Sequence, residues 1–304
     1  MNSPVLVSIL IDNYNYGRFV GAAIESALSQ TYDRIEIIVI DDGSLDNSRE
    51  VIASYLPQVV PVFKENGGQA SAFNAGFAAS SGDIICFLDA DDIFLPEKVA
   101  EVVKALPNVQ ESSWCFHPLK LVDADSQAID NISYPGSVVP CDLRLDMQRG
   151  GLRGSKLPFP IPGTSGLCFT RPLLAQILPM PEAEAIALND SYLQFAAIFL
   201  SKGVALAKQL ALQRVHEGNA YTLKTDKQRL VARINILTAY WLRTNFPALS
   251  KFTDKLFAAG LATYWRTGGI ETSSQAVINK YWLAVPPIKR LNIGTRILYY
   301  SLKT

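Results

Sequence analysis

The 304-residue sequence predicts an α/β protein with a doubly wound sheet, helices on both faces of that sheet, and a mainly helical C-terminal extension. Three observations lead to this prediction. Short apolar runs alternate with helix-like segments through the first ninety residues, several of these runs end in polar clusters, and the composition turns helical after Tyr221. We therefore expect one domain over residues 1–220 and an extension over residues 221–304.

The individual elements follow from the residue patterns. Strands are predicted at four segments rich in apolar residues, which are 5–11, 35–40, 59–66 and 83–88. Helices with apolar residues at helical spacing are predicted at 18–32, around 51–56, where Ser44 or Asp46 supplies the cap, and at 68–80. The later patterns predict a strand and turn at 112–129, a mobile loop at 148–166, a strand at 166–170, a helix at 171–178, and a helix at 188–203 that Gly203 closes.

Acidic and polar residues follow three of the predicted strands. They are Asp12, Asn13 and Tyr14 after the first strand, Asp41 and Asp42 after the second, and Asp89, Asp91 and Asp92 after the fourth. Because ligands collect beyond the carboxyl ends of the strands in such sheets, we expect the three clusters to converge at one edge. Clustered ionised carboxylates repel one another unless a cation neutralises them, and Mg²⁺ or Mn²⁺ binds carboxylates together with substrate phosphates. The pattern predicts a site for a cation and a diphosphate, and the alternative is a solvated turn or helix cap.

Composition narrows the class of partner. Twenty-eight basic and 28 acidic residues cancel, so we expect no nucleic-acid partner.

The four cysteines form no CxxC pair, which favours buried reduced thiols in a reducing compartment. The first residues show neither a charged leader nor a long apolar run, so a secretion signal or a membrane anchor is not expected there. No GxGxxG or GxxxxGK[ST] motif occurs, and a metal is therefore expected to meet the phosphate charge.

Several motifs together resemble the family 2 glycosyltransferases. They are "VSILIDNYNYGRFVGAAIESALSQTY", "IEIIVIDDGSLDNS", "ENGGQASAFNAGFAASSGDIICFLDADDIFLP" and, much later, "ND" before a helix and "RVHEGN". The similarity covers roughly residues 5–220 in the family's order. The resemblance implies a GT-A (Rossmann-like) fold with a doubly wound mixed sheet, a nucleotide-sugar donor and inverting transfer.

The resemblance also implies a role for each matching residue. Those expected to bind the nucleotide are Asn13, Tyr14, Asp41, Asp42, Gly68, Gln69, Asn74, Asp89 and Ala90. Either Asp41 or Asp42 would contact the base. Asp89, Asp91 and His216 are expected to bind Mn²⁺ or Mg²⁺, and Asp92 to orient the loop. Many members carry a basic residue where Phe73 stands, so the base stays open, although a uridine donor is expected.

Asp190 matches the family's catalytic carboxylate at the start of a helix. Inverting transfer needs a base for the incoming hydroxyl, and an ionised aspartate suits that role. An ordinary helix cap is the alternative for Asp190, and a structural histidine is the alternative for His216.

We expect an inverting, metal-dependent hexosyltransferase of surface polysaccharide biosynthesis that acts on a hydroxyl of a glycan or lipid-linked acceptor. It would work in the cytoplasm or at the inner face of the membrane. Two other classes of protein are alternatives. A sugar nucleotidyltransferase should carry a glycine-rich basic signature near the first strand, which this sequence lacks, and a noncatalytic nucleotide-sugar or glycan-binding module has no need of Asp190.

The segment 286–304 predicts a basic amphipathic helix, with Lys289, Arg290, Arg296 and Lys303 among apolar residues. Two interpretations stay open: the helix lies on an anionic membrane, or it packs on its own domain or on a second subunit of a homo-oligomer. A basic loop with Arg149, Arg153 and Lys156 either closes over phosphate or is solvated.

Overall fold

The structure is a computed structural model that describes residues 4–130, 132–134, 138–151, 157–182, 190–216 and 227–302. Its contacts divide the chain into two compact units. The described residues of the first unit fall within Met1–Asp142, Lys156–Glu182 and Leu200–His216, and those of the second unit within Leu143–Ser155, Ala183–Phe199 and Glu217–Thr304. The domain boundary expected at residue 220 stays a prediction.

The first unit contains the strands, which are β1 Val7–Asn13, β2 Ile35–Asp42, β3 Val60–Lys64, β4 Ile84–Asp89, β5 Ile93–Phe94, β6 Trp114–Phe116, β7 Leu119–Val122, β8 Val138–Cys141, β9 Leu167–Thr170, β10 Gly203–Leu206 and β11 Ala211–Arg214. The helices along the whole chain are α1 Gly17–Leu28, α2 Ser48–Ala53, α3 Gln69–Ala79, α4 Lys98–Ala105, α5 Arg144–Arg149, α6 Arg171–Leu174, α7 Asp190–Leu200, α8 Lys227–Asn245, α9 Ser250–Arg266, α10 Thr272–Ala284 and α11 Pro287–Leu302.

Eight strands form one mixed sheet in the order β3-β2-β1-β4-β9-β6-β10-β8. The pairs β2–β3, β1–β2, β1–β4 and β6–β10 are parallel, and β9 is antiparallel to both of its neighbours. A second sheet has the order β5-β11-β7. The predicted doubly wound mixed sheet is therefore confirmed.

Helices cover both faces of the large sheet. On one face, Ile9 and Ile11 share a fully buried core with Val20 and Ile24 of α1. On the other face, Gly76 of α3 lies so close to the sheet that an added Cβ would come within 2.7 Å of Ile40. Burial on both faces explains why these strands are near-continuous apolar runs in the sequence.

Two details of the predicted elements are wrong. The helix expected at 171–178 extends only over Arg171–Leu174. Gly203 does not close the preceding helix, because α7 ends at Leu200 and Gly203 is the first residue of β10. A Cβ at this position would overlap the indole ring of Trp114, so packing against that ring, and not helix capping, requires the glycine.

Replacing Gly203 with alanine is expected to destabilise the protein by about 1–3 kcal/mol, because the new methyl group overlaps the fully buried Trp114 ring. Urea unfolding followed by Trp fluorescence measures the loss. Gly294→Ala in α11 adds the same methyl where nothing lies within 4 Å, and it should stabilise rather than destabilise. Equal midpoints for Gly203→Ala and wild type would contradict the packing argument.

The segment 148–166, predicted as a loop, contains helical turns among its described residues. Its start is the end of α5, and Thr164–Gly166 form a 3₁₀ turn. Residues 152–156, with Arg153 and Lys156, lie outside the described residues.

The second unit is helical, as predicted for the C-terminal region. Helix α9 packs against α8 and α11, and its Phe257 stacks on Tyr281 of α10 with 3.8 Å between ring centroids. Among the described residues, none of the helices has the length and apolarity needed to cross a membrane.

Candidate functional site

Three neighbouring strands of the first unit end in the polar residues that the sequence singled out. Strand β1 lies between β2 and β4, and all three run parallel. The register pairs Asp12 with Asp89 and Asn13 with Asp41. The three clusters therefore meet at one edge of the sheet, as expected from the strand pattern.

Asp41 is fully buried and receives several hydrogen bonds. Asn13 Nδ2 donates to its Oδ2 at 2.9 Å, while Arg49 Nε and the Ser44 amide donate to its Oδ1 at 2.8 and 3.1 Å. Burial acts to raise the pKa of Asp41, but the hydrogen bonds from Ser44, Arg49 and Asn13 outweigh it, and the pKa lies below its usual value. Asp41 is therefore an ionised acceptor at neutral pH.

Asp42 organises the turn before α3. Its carboxylate accepts hydrogen bonds from the amides of Gly67 and Gly68 at 3.0 and 2.7 Å, and Lys64 Nζ lies 2.5 Å from Oδ1. Gly68 has a φ of +80°, a conformation that side chains with a Cβ rarely adopt. Asp42 thus fixes the backbone at the first turn of α3, beside Asp41.

Gln69 connects the ends of three elements. Its Nε2 lies 3.2 Å from Asp12 Oδ2, 3.2 Å from Asp89 Oδ1 and 3.4 Å from Thr164 Oγ1. Asp12 Oδ1 is buried and has no hydrogen-bond partner within the described part of the chain. Burial raises the pKa of Asp12 to about 7, although the hydrogen bond from Gln69 opposes it. This side-chain oxygen therefore lies next to the acidic cluster with unused accepting capacity.

The acidic cluster consists of Asp89, Asp91 and Asp92. Each contributes a carboxylate oxygen, and these oxygens lie within 4.8 Å of one another. His216 Nε2 lies 3.1 Å from Asp91 Oδ2. Burial, together with repulsion from Asp91, raises the pKa of Asp92 to about 8. Several carboxylate oxygens beside an imidazole are a donor set that fits Mg²⁺ or Mn²⁺.

Aromatic rings hold His216 in place. The imidazole lies edge-on to Tyr16, with 5.6 Å between centroids, and 4.5 Å from the ring centroid of Phe19. The structure thus brings His216 to Asp91 across 125 positions of sequence. Residues 217–219 of the "RVHEGN" motif lie outside the described residues.

Ser165 links two members of the acidic cluster, Asp92 and Asp89. Ser165 Oγ donates to Asp92 Oδ2 at 2.6 Å and accepts from the amide of Asp89 at 3.1 Å, and Arg214 N donates to Asp92 Oδ1 at 3.0 Å. The fully buried Lys98 donates from Nζ to the Ser165 carbonyl at 3.0 Å. Sequence reasoning missed Lys98, because its contact with Ser165 joins residues that are 67 positions apart.

Replacing Ser165 with alanine should lower the free energy of unfolding by about 1–3 kcal/mol, because a buried carboxylate oxygen and a buried amide each lose a partner. Urea unfolding measures this effect. Ser71→Ala removes another buried hydroxyl in the first unit outside this network and should cost less. If the two variants had the same urea unfolding midpoint, the hydrogen bonds of Ser165 would contribute no more stability than those of another buried hydroxyl.

The remaining predicted residues have different environments. The Tyr14 side chain is 45% exposed, so its ring is accessible for stacking. The amide of Ala90 donates to the Asp12 carbonyl at 3.1 Å. Asn74 uses its amide to hold the carbonyl of Met180 at 2.9 Å and Glu182 Oε1 at 2.6 Å. Both N–H donors of Asn74 are thereby occupied, and its nucleotide contact stays a prediction.

Asp190 is the first residue of α7 and belongs to the second unit. The preceding residues 183–189, including the Asn189 of the "ND" motif, lie outside the described residues. The position at a helix start agrees with the sequence pattern, and the catalytic role stays a prediction.

A doubly wound sheet with an acidic cluster at the carboxyl ends of its strands is typical of α/β proteins that bind a ligand at that edge. The sequence model described as "Glycosyl transferase family 2" matches residues 8–118. The uncharacterized glycosyltransferase alr2836 of Nostoc sp. is 36% identical over 218 residues, which cover 70% of this chain and 66% of the relative. The glycosyltransferase GlyG of Streptococcus pneumoniae is 41% identical over 92 residues, which cover 29% of this chain and 31% of the relative.

Solved structures show the same fold. The structure of S. aureus TarS 1-349 in complex with UDP-GlcNAc has a TM-score of 0.60 at 17% identity and covers 90% of this chain and 78% of that chain. The chain belongs to glycosyltransferase family 2 and has a GT-A fold. It spans about two thirds of the length of the Nostoc relative and 24–39% of the length of the other curated relatives compared.

Proposed function

We propose that the protein is an inverting glycosyltransferase that moves one sugar from a nucleoside-diphosphate donor, a UDP-sugar by expectation, to a hydroxyl group. The observation that carries the proposal is the acidic cluster of Asp89, Asp91 and Asp92 with His216, at the sheet edge that also holds Asp41. A solved protein of the same fold binds UDP-GlcNAc, which supports a nucleotide-sugar donor.

Different residues of the first unit would bind different parts of the donor. In this proposal the exposed ring of Tyr14 stacks on the base, and the ionised Asp41 accepts a hydrogen bond from it. Asp89 is the last residue of β4, the strand next to β1. The ribose and diphosphate would lie beside Asp89. Asp91, Asp89 and His216 would hold Mn²⁺ or Mg²⁺. When bound, the cation would offset the charge of the leaving diphosphate.

Asp190 supplies the base of the proposed reaction. Its carboxylate takes the proton of the acceptor hydroxyl as that oxygen bonds to the anomeric carbon and the bond from this carbon to the diphosphate oxygen breaks. The start of α7 suits an anionic side chain, because the N-terminus of a helix favours negative charge. Attack opposite to the leaving group inverts the configuration of the anomeric carbon.

The acceptor and cellular setting are part of the same proposal. We infer a glycan or lipid-linked acceptor and a role in surface polysaccharide biosynthesis. A cytoplasmic setting is supported by four buried cysteines that form no disulfide.

The experiment is a donor screen that follows release of free nucleoside diphosphate, preceded by calorimetric titration of UDP with and without Mn²⁺. We expect UDP to bind more tightly with Mn²⁺, and one or a few donors to be hydrolysed slowly without acceptor. Equal UDP affinity with and without Mn²⁺, together with no turnover of any donor, would contradict the proposal.

A further inference from the structure

Helix α11 packs on its own unit by one face only. Ile293 and Ile297 are its buried residues. The opposite face carries Ile288, Leu291, Thr295, Leu298 and Leu302, which we call the outer stripe. All five are exposed, with exposed fractions of 77% at Ile288, 73% at Leu291 and 76% at Leu302.

The spacing of the outer stripe is regular. Its members alternate at three and four residues, so they form one continuous line along the helix. Large apolar side chains that are exposed in a continuous row indicate an interaction surface, whereas isolated ones do not. The interpretation that α11 packs on its own domain agrees with the burial of Ile293 and Ile297, while the outer stripe is left exposed.

Positive charge lies on the flanks of α11. At 100° per residue, Arg296 and Arg290 project about 120° from the middle of the outer stripe on opposite sides, and Lys289 projects further round, towards the buried face. All three side chains are exposed. From Thr272 to Thr304 the sequence contains five basic residues and no acidic residue. The charged side chains of this segment, which includes α11, are therefore all positive.

A cationic cleft lies beside the stripe in the same unit. Its volume is about 560 Å³, and Arg149, Lys255, Arg296, Tyr299 and Tyr300 are among the residues that line it. Gly150 ends α5 with a φ of +103°, and a Cβ there would come within 2.9 Å of the Lys255 side chain. The glycine thus leaves room for Lys255 at the cleft, where three cations converge from three helices or helix ends.

We propose that the outer stripe and the cleft form a docking face for an anionic lipid bilayer. The apolar side chains enter the boundary layer of the acyl chains, while the long side chains of Arg290 and Arg296 extend from the flanks of the helix to the phosphate headgroups, and the cleft receives one headgroup. A second copy of the chain also offers an apolar stripe, but it would bring like charges together, so charge complementarity favours the anionic lipid. The proposal does not depend on the transferase activity.

The test is sedimentation of the full chain with vesicles of equimolar phosphatidylglycerol and phosphatidylcholine, beside vesicles of phosphatidylcholine alone. We expect binding to the anionic vesicles only, and weaker binding as salt rises. Replacing both Leu291 and Leu298 with serine should lower the partition coefficient at least about 100-fold, and Arg296→Gln about five-fold. The matched controls Leu45→Ser and Arg34→Gln, at exposed positions of the first unit, should bind like wild type.

Molar mass by light scattering and thermal unfolding are measured for each variant without lipid. We expect the leucine variant to keep the wild-type mass and melting temperature, because the stripe faces solvent in the free protein. Sedimentation of wild type and the leucine variant to the same extent would overturn the proposal. A wild-type dimer that becomes a monomer in the leucine variant, with no vesicle binding, would assign the face to a second copy instead.

Discussion

Replacing Asp91 with asparagine is expected to lower sugar transfer about 1,000-fold, since cation stabilisation of a leaving group is typically worth several kcal/mol. Asparagine keeps the size of the side chain but removes the charge that lies 3.1 Å from His216 and within the acidic cluster. Titration of Mn²⁺ in the presence of UDP should show weaker metal binding in the same variant. His216→Ala should lower the Mn²⁺ affinity about 10–100-fold, the loss typical when one residue that supports a metal site is removed.

Asp33→Asn is the matched control for Asp91→Asn, because Asp33 is an exposed aspartate in the segment before β2. It should leave transfer and Mn²⁺ binding at wild-type values. If Asp91→Asn bound Mn²⁺ as tightly as wild type, the cluster would not be the metal site.

Replacing Asp190 with asparagine is expected to lower transfer about 100- to 10,000-fold, the range typical of a lost general base. Metal-dependent UDP binding should persist, because the residues proposed to bind the donor all lie in the first unit and Asp190 lies in the second. Single-turnover transfer and calorimetric UDP binding, measured on the same preparation, separate the two effects.

Asp146→Asn serves as the control for Asp190→Asn. Asp146 is an aspartate in the first turn of α5 in the same unit, so both variants lose a favourable charge at a helix start. Only Asp190→Asn should lose transfer. Equal turnover in the two variants would leave Asp190 with a capping role alone.

Local signals were sufficient for the half of the sheet that holds the candidate site. Strands β1, β2 and β4 are buried on both faces, so each is a nearly unbroken apolar run that a polar cluster ends. The rule that ligands collect at the carboxyl ends then placed Asp12, Asp41 and Asp89 at one edge, and the register agrees.

The other half of the sheet depends on distant pairing. Strand β9 inserts antiparallel between β4 and β6, and β6 has only three residues. Such short strands carry too little periodicity to reveal their neighbours. Gly203 illustrates the limit, because its pattern indicated a helix end, whereas contact with Trp114 across the sheet decides its role.

The contacts that position residues around the candidate site could not be predicted for a similar reason. Lys98 occupies a helix whose pattern suggests a solvent-exposed lysine, yet its amine is buried and bonds to the Ser165 carbonyl, 67 positions away. Burial lowers the pKa of Lys98. Asn74 likewise follows the family's pattern, while the structure shows its amide engaged with Met180 and Glu182.

The placement of the thiols makes local opening of the sheet visible to chemistry. Cys86, Cys168 and Cys115 stand side by side on three adjacent inner strands and are wholly shielded, whereas Cys141 ends the edge strand β8. A maleimide can modify the inner row only when the middle of the sheet separates, but it needs only fraying of β8 to reach Cys141. The rates at which maleimide modifies Cys141 and the three inner thiols therefore distinguish fraying of the edge strand from opening of the middle of the sheet.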